Sequence, residues 1–216
     1  MIPGNFSGDE MNPVNPLPLR FMVEGVGEVS ALLLLRPSSR ACFVFAHGAG
    51  AGMDHNFMAQ VAAALCDHDV ATLRYQFPYM EKGRRRPDVP AVAQAAVRAA
   101  VAQAARCCPG LPLIAGGKSF GGRMTSQAHA IAPLPGVRGL AFLGFPLHPA
   151  GKPSDARAAH LADIQVPLLF IQGNRDKLAE LPAARNGREA PRRAGGAASG
   201  ARGRSFLPRA GAIRTK

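Results

Sequence analysis

The sequence LIAGGKSFGGRM, residues 113–124, joins a short apolar run to a turn that contains four glycines. Residues 117–121 read Gly-Lys-Ser-Phe-Gly and fit the G-x-S-x-G pattern, which places a nucleophilic serine on a sharp turn between a strand and a helix. Glycine is favoured on both sides of Ser119 because side chains there would collide with neighbouring backbone at so tight a turn. We therefore predict a strand, a turn that exposes Ser119, and a helix.

Two glycine-rich stretches are alternative candidates for binding phosphate groups, and neither has the required spacing. A Walker A loop ending at Ser119 needs a glycine at position 112, where the chain has Pro112. The stretch HGAGAGM, residues 47–53, lacks the third glycine of G-x-G-x-x-G because that position is Met53. The His and Asp residues of 47–69 also lack metal-ligand spacing such as H-E-x-x-H. We therefore expect no cofactor and no metal.

Apolar runs that indicate strands alternate with stretches of helical spacing along the chain. The runs are residues 20–36, which suggest two strands around a glycine-containing turn, and then 41–48, 70–77, 111–116, 137–145 and 166–173. Helices are predicted after a cap at Asp54, after a cap at Asp88 with Pro90 in the first turn, and over residues 121–132. The positions predicted to face the core are Phe57, Met58, Val61, Ala62 and Leu65 in the first helix and Val92, Ala96, Val97, Ala100, Val101 and Ala104 in the second.

This alternation predicts the α/β fold class. Strands that are apolar throughout are typical of a mostly parallel sheet with helices on both faces. The active groups of such a protein gather at the carboxyl ends of the strands. The sequence therefore places any functional site at the edge of the sheet where Ser119 lies.

The charge is unevenly distributed and divides the chain into three parts. The net charge is +12, and residues 182–216 carry nine of the 26 Lys and Arg residues but only one of the 14 Asp and Glu residues. This Ala-, Arg-, Gly- and Pro-rich tail has too few large apolar residues to form a core, so we expect it to be disordered. We expect a flexible leader over 1–19 and a folded core over 20–181. No aromatic residues alternate with the arginines of the tail, which argues against nucleic-acid binding.

Membrane insertion and secretion are not indicated. No apolar run approaches the ~18 residues that a spanning helix needs, and the N-terminus lacks the basic start and apolar core of a signal peptide. The four cysteines show no C-x-x-C spacing, and we expect Cys42 and Cys66 to be buried. Reduced thiols of this kind indicate a cytoplasmic protein.

Two further motifs supply partners for Ser119. The stretch AHGAG ends a predicted strand, and the main-chain N–H of Ala49 or Gly50 would join that of Phe120 in an oxyanion hole. Asp176, in QGNRD, follows a strand that comes after the serine, where an acid that orients a histidine is expected. An alternative role for Asp176 is that of a surface turn residue.

Five motifs in order carry a resemblance to a known family. They are HGAGAGMDHNFM (47–58), LRYQFPYMEKGRRRPD (73–88), GGKSFGGRM (116–124), FLGFPLHPAGKP (142–153) and FIQGNRDKLAEL (170–181). Together they resemble the KANL3/Tex30-type branch of the α/β-hydrolase superfamily, which is related to dienelactone hydrolases. The resemblance implies a serine-hydrolase scaffold with Ser119 as nucleophile and Asp176 as acid. Some relatives resemble non-catalytic subunits of a histone-acetyltransferase complex, which implies a protein partner as the alternative to a small ester-like substrate.

The histidines depart from the family pattern. The chain order of this fold is Ser, Asp, His, but the histidines are His47, His55, His68, His129, His148 and His160, and none follows Asp176. His148 is an alternative base because it follows the strand expected beside that of Ser119, although it could instead line a substrate pocket. We expect hydrolase activity to be impaired without the usual histidine. The abrupt change of composition near residue 182 suggests a shifted reading frame, which resequencing of the gene would test.

Basic and imidazole side chains near these motifs are candidates for substrate binding. Arg84, Arg85 and Arg86 could bind an acidic substrate or partner, or could simply be solvated. His47 either contacts substrate or braces its loop. Two functions stay open at this point: an ester or related acyl hydrolase, and a binding module that keeps the fold without the chemistry.

Overall fold

The computed structural model describes residues 15–146 and 158–173, whose centre is a seven-stranded sheet. The strands are β1 Leu17–Val23, β2 Gly27–Leu34, β3 Ala41–Ala46, β4 Val70–Tyr75, β5 Leu113–Lys118, β6 Val137–Leu143 and β7 Leu168–Ile171. From one edge to the other they run β1, β2, β4, β3, β5, β6 and β7. The first two form an antiparallel hairpin, and β2 pairs antiparallel with β4. The remaining neighbours are all parallel, which confirms the predicted α/β class.

The helices connect the parallel strands. They are α1 Asn56–Cys66, α2 Pro78–Glu81, α3 Pro90–Cys107 and α4 Phe120–Ile131, and a 3₁₀ helix spans Ala159–Asp163. Pro90 occupies the first turn of α3 as predicted, where its missing N–H has no intrahelical partner to lose.

The two predicted helix caps are wrong. The cap of α1 is His55, whose Nδ1 accepts a hydrogen bond from the N–H of Phe57 at 3.2 Å, so Asp54 is not used. The cap position of α3 is Val89, which makes no side-chain bond. Asp88 serves a different helix, because its Oδ2 accepts from the N–H of Tyr79 in the first turn of α2 at 2.8 Å.

Helices cover both faces of the sheet. Side chains of β3 alternate between the faces, so that Phe43 and Phe45 pack with Met58 of α1 while Val44 belongs to the larger core on the side of α3. The buried residues of α3 are Ala93, Ala96, Val97, Ala100, Val101 and Ala104. The predicted face is therefore correct except at Val92, which is only partly buried and gives its place to Ala93.

Three neighbouring strands, β3, β5 and β6, have their carboxyl ends side by side at one end of the sheet. Ala46, the last residue of β3, pairs with Gly117 of β5, and Gly117 pairs with Phe142 of β6. The segments that leave these strands are the β3–α1 loop (residues 47–55), the turn at Ser119, and residues 144–146. The fold therefore brings together three stretches that are distant in sequence.

The boundaries of the folded core differ slightly from those predicted. The first strand begins at Leu17, before the expected limit at residue 20. Residues 1–14 of the predicted leader and the predicted tail, 182–216, lie outside the described residues.

Cys42 and Cys66 are buried as predicted. Within the described residues, no helix combines the length and apolar character needed to cross a membrane.

The close approach of β5 to β6 predicts a large effect of a small substitution. A Cβ atom at Gly116 would overlap the main-chain carbonyl of Ala141 on β6, which cannot move without breaking the strand pairing. Overpacking of this kind typically costs about 1–3 kcal/mol. We expect Gly116→Ala to lower the free energy of unfolding by an amount in the upper half of that range. Gly50→Ala is the matched control, because a Cβ there meets nothing within 4 Å. Urea unfolding of both variants measures the difference, and equal stabilities would contradict the packing described.

Candidate active site

Ser119 lies on a strained turn at the carboxyl end of β5. Its backbone angles are φ 49° and ψ −110°, which residues other than glycine rarely adopt. The strain is held from both sides: the Ser119 N–H donates to the carbonyl of Leu143 at 3.0 Å, and its carbonyl accepts from the N–H of Arg123 at 3.1 Å. Strained backbone of this kind is concentrated at functional sites. The predicted strand–turn–helix is therefore present, and the Ser119 side chain does not cap α4.

The glycines on either side of Ser119 are required by contact with β3. A Cβ at Gly117 would overlap the carbonyl oxygen of Ala46, and one at Gly121 would lie 2.5 Å from the carbonyl oxygen of His47. Real Cβ atoms do not approach main-chain oxygens so closely, so only glycine fits at both positions. The turn that carries Ser119 thus packs directly on the main chain where the β3–α1 loop begins.

His47 braces the start of the β3–α1 loop. Its Nδ1–H donates to the carbonyl of Gly48 at 2.7 Å, and its Nε2 accepts from the N–H of Phe77 at 3.0 Å. This pair of bonds requires the neutral ring, and burial holds the pKa of His47 below its usual range despite opposing contacts with the backbone of Gly48 and Ala51. Both ring nitrogens are engaged by main chain, which favours the second of the two roles considered for His47, that of bracing its loop.

The end of β4 and the start of α2 hold the rest of the loop. The hydroxyl of Tyr79 donates to the carbonyl of Ala49 at 2.9 Å. Burial, with a smaller contribution from Asp88, raises the pKa of Tyr79 to about 12, which keeps this hydroxyl protonated as a donor. Further along the loop, Met53 donates its N–H to Gln76 at 2.9 Å and accepts a bond from the buried Arg74 at 3.1 Å.

These bonds determine where the N–H groups of the loop point. In a trans peptide the N–H points opposite to the preceding carbonyl, and the described chain has no cis peptides. The carbonyls of Gly48 and Ala49 face the buried His47 and Tyr79 donors, so the N–H groups of the next residues, Ala49 and Gly50, point away from them. No described group accepts a bond from either N–H. The arrangement can therefore offer N–H donors to a bound oxygen atom.

Ser119 opens onto a cavity of about 350 Å³. The apolar part of its wall is formed by Ala49, Pro87, Pro90, Phe120 and Pro146, and its polar residues are Ser119, Asp88 and Arg123. Phe120 is the first residue of α4, so its N–H has no partner within the helix. Three predicted residues, Ser119, Phe120 and Ala49, thus meet at one cavity.

The other predicted residues are placed less directly. Gly50 is exposed and does not line the cavity. Arg84, Arg85 and Arg86 are exposed on the segment that precedes Pro87, a residue of the cavity wall. His148 and Asp176 lie outside the described residues.

None of the five described histidines lines the cavity. His47 and His55 make the bonds given above, and His68 is exposed. His129 accepts from the N–H of Leu134 at 3.3 Å, and His160 bonds to the hydroxyl of Ser126 at 2.8 Å. Among the described residues, therefore, no imidazole forms part of the cavity wall beside Ser119.

Three residues of the site were not predicted from the sequence. Tyr79 and Asp88 were not assigned to it because their partners lie on other segments. Arg123 could have been found, because a residue four positions after Ser119 on a helix lies on the same side. The described residues also hold no group of three or more His, Cys, Asp or Glu side chains able to bind a metal.

The fold and the strained serine define an α/β protein whose serine is held on a strand–turn–helix elbow at the carboxyl edge of a parallel sheet. The chain belongs to the alpha/beta hydrolase domain family, whose model matches residues 39–192. That match includes β3 to β7 and both sides of the Ser119 turn. No curated protein matches the sequence.

Solved structures of the same fold are similar to this chain. An α/β serine hydrolase without a lid from Xanthomonas campestris is 20% identical, with a TM-score of 0.61 over 82% of this chain and 80% of that one. A dienelactone hydrolase from Anabaena variabilis is 19% identical, with a TM-score of 0.56 over 81% and 94%. A Pyrococcus furiosus esterase is 14% identical, with a TM-score of 0.64 over 86% and 81%. At these identities the similarity establishes the fold.

The bond from Tyr79 to Ala49 predicts a coupled loss of stability and reactivity. We expect Tyr79→Phe to cost about 0.5–1.5 kcal/mol, because the partly buried carbonyl of Ala49 loses its donor. The loop N–H groups then lose their fixed direction, so a serine-reactive fluorophosphonate should label Ser119 several-fold more slowly. Tyr75→Phe is the control, because the Tyr75 hydroxyl is equally buried but donates no bond to the loop in the described structure. Equal labelling rates in the two variants would argue against this role of Tyr79.

The neutral His47 predicts a loss of stability at low pH. The unfolded chain binds a proton on this imidazole below a pKa of about 6.5, and the folded chain does so only at lower pH. The melting temperature should therefore fall as the pH decreases from about 7.5 to about 5.5. His47→Gln should reduce this pH dependence, whereas replacing the exposed His68 should not. Some dependence should remain, because burial also lowers the pKa of His129 and His160.

Proposed function

We propose that the chain is a serine hydrolase-like protein for small ester or related acyl substrates, with Ser119 as the nucleophile. The observation that carries this proposal is the strained turn at Ser119, which opens onto a cavity also lined by Ala49 and Phe120. Such a turn is the structural context in which G-x-S-x-G acts as a nucleophile elbow. Membership of the alpha/beta hydrolase family supports the same reaction class.

In the proposed reaction, Ser119 Oγ attacks the substrate carbonyl carbon while its proton passes to a base. The carbonyl electron pair moves onto oxygen, and the N–H groups of Phe120 and of Ala49 or Gly50 stabilise that oxyanion. Collapse of the intermediate expels the alcohol, which takes up the proton, and leaves an acyl ester on Ser119. Water then attacks this ester by the same route and frees the acid and the serine.

For the base and the acid we propose His148 and Asp176. Described residues that shortly precede each of them in the chain support the pairing. Phe145 donates its N–H to Gln172 Oε1 at 2.9 Å, and Gln172 Nε2 donates back to the Phe145 carbonyl at 3.3 Å. The chain segments that lead to His148 and Asp176 therefore leave the sheet side by side, and Pro146 of the first segment already lines the cavity.

We propose that this site turns over slowly. The usual histidine of the fold follows the acid in sequence, and none follows Asp176 here. Loss of one triad member typically costs several powers of ten in rate. The second candidate function is a non-catalytic binding module with a protein partner, and it is favoured by the absence of every described histidine from the cavity wall.

Several broader assignments accompany this proposal. We assign the chain to the KANL3/Tex30-type branch of the family and place it in the cytoplasm, on the motifs and the cysteine usage given above. Residues 182–216 are proposed to be a basic tail outside the hydrolase core. The exposed Arg84–Arg86 run is proposed to contact anionic substrates or partners at the approach to the cavity.

The proposal is tested by labelling the purified full-length chain with a fluorophosphonate. We expect the wild type to be labelled and Ser119→Ala to be unlabelled, because the probe requires an activated serine hydroxyl. Ser38→Ala removes an exposed serine and should label like the wild type. His148→Ala should label more slowly if this imidazole is the base.

Absence of labelling in wild-type protein that is shown to be folded by circular dichroism would overturn the hydrolase proposal. It would then favour the binding module. Unchanged labelling of His148→Ala would exclude His148 as the base and would leave the assignment of Ser119 as the nucleophile in place.

A further inference from the structure

The cavity beside Ser119 contains a cation that the proposed mechanism does not use. Arg123 lies one helical turn after Ser119 on α4, and its N–H closes that turn on the Ser119 carbonyl at 3.1 Å. Arg123 lines the same cavity as Ser119. Four residues correspond to about 6 Å along the helix axis, so a bound molecule of modest length can reach both residues.

The positive charge of Arg123 lies in a cavity wall that is otherwise mostly apolar. Most of the lining is proline, alanine and phenylalanine, and Arg123 is the one cationic side chain among the described lining residues. The only anionic lining residue described, Asp88, has one carboxylate oxygen held by the N–H of Tyr79 at 2.8 Å. Pockets of this type bind by apolar contact and take their orientation from a few polar groups. Here the orienting group is the guanidinium.

We propose that Arg123 determines specificity for acyl groups that carry a carboxylate, such as short monoesters of dicarboxylic acids. This inference rests on the proposed function of Ser119 as the nucleophile. The planar guanidinium donates two parallel N–H bonds to the carboxylate, and these bonds place the ester carbonyl at Ser119. Arg123 also lies close enough to His160 for its positive charge to lower the pKa of that ring, after the larger effect of burial. A guanidinium has five N–H donors, so it can hold a carboxylate and keep other contacts.

The volume of the cavity agrees with a small substrate of this class. At about 350 Å³ it is near the lower end of the range for ligand pockets. Asp88 adds a negative charge to the wall, so an anionic acyl group binds with its carboxylate toward Arg123 and away from Asp88. The exposed Arg84–Arg86 run adds positive charge to the segment that leads into Pro87 of the cavity wall.

The experiment compares two esters of similar shape, mono-4-nitrophenyl succinate and 4-nitrophenyl butyrate. Their activated leaving group makes slow turnover measurable, and only the first carries a carboxylate. We expect the wild type to prefer the succinate, and Arg123→Gln to lower the succinate-to-butyrate ratio of kcat/KM by about 10- to 100-fold. Arg123→Lys should retain part of the preference. Arg138→Gln is the matched control, because Arg138 is exposed at the start of β6, at the opposite end of the sheet.

An unchanged ratio in Arg123→Gln would overturn the proposal. Fluorophosphonate labelling of Ser119 in each variant reports on the serine separately, because that probe carries no carboxylate. If the wild type is not labelled, the hydrolase proposal fails, and glutarate binding measured by calorimetry then tests Arg123 alone. Binding by the wild type that is lost in Arg123→Gln and kept in Arg138→Gln supports the anion site. Absent binding, or equal binding by all three proteins, overturns it.

Discussion

The site depends on the close contact of three main-chain segments at the carboxyl ends of β3, β5 and β6. Gly116 and Gly117 bring β5 against the carbonyls of Ala141 and Ala46, where no Cβ atom fits. That approach lets the Ser119 N–H reach the carbonyl of Leu143, which stabilises a backbone conformation that is unfavourable by itself. The strain at the serine is therefore offset by hydrogen bonds of the sheet. Ser119 and the two glycines that allow its backbone conformation, Gly116 and Gly117, therefore lie within four consecutive residues of the chain.

A second set of contacts fixes the conformation of the β3–α1 loop. The loop contains five glycines or alanines in a row after His47, so its own side chains can do little to fix it. Its carbonyls are held instead by His47 from its own start and by Tyr79 from α2. Because a peptide N–H and the carbonyl before it point in opposite directions, buried donors on one side set the direction of the N–H donors on the other. The core beneath the loop thus determines what the loop can present to a ligand.

The sequence predicts the parts of this structure that depend on local pattern. Apolar runs, helical spacing and the G-x-S-x-G turn each act over a few residues, and they were sufficient for the strands, the fold class and the meeting of Ser119, Phe120 and Ala49. The sequence predictions that are wrong concern which of several nearby groups a residue contacts. Asp88 was expected to cap α3, yet the N–H of Tyr79 nine residues earlier takes its carboxylate. Ala93 replaces Val92 in the core because a shift of one residue turns the helix by about 100°, which only the packed neighbours decide. Arg123 and Tyr79 belong to the site through contacts across the fold, and their types alone do not reveal them.

In the proposed mechanism, the binding of a carbonyl group and the activation of the serine depend on different parts of the chain. The turn, the loop N–H groups and the cavity are all built from residues 46–146 and are held by bonds among themselves. In the proposed mechanism, proton transfer depends on segments that follow Phe145 and Gln172, and these two residues are hydrogen-bonded to each other. Loss or change of the base would therefore leave the cavity and its N–H donors in place. A member of this family with a defective base can keep a shaped, charged pocket, and this explains how one scaffold can support both a hydrolase and a binding protein.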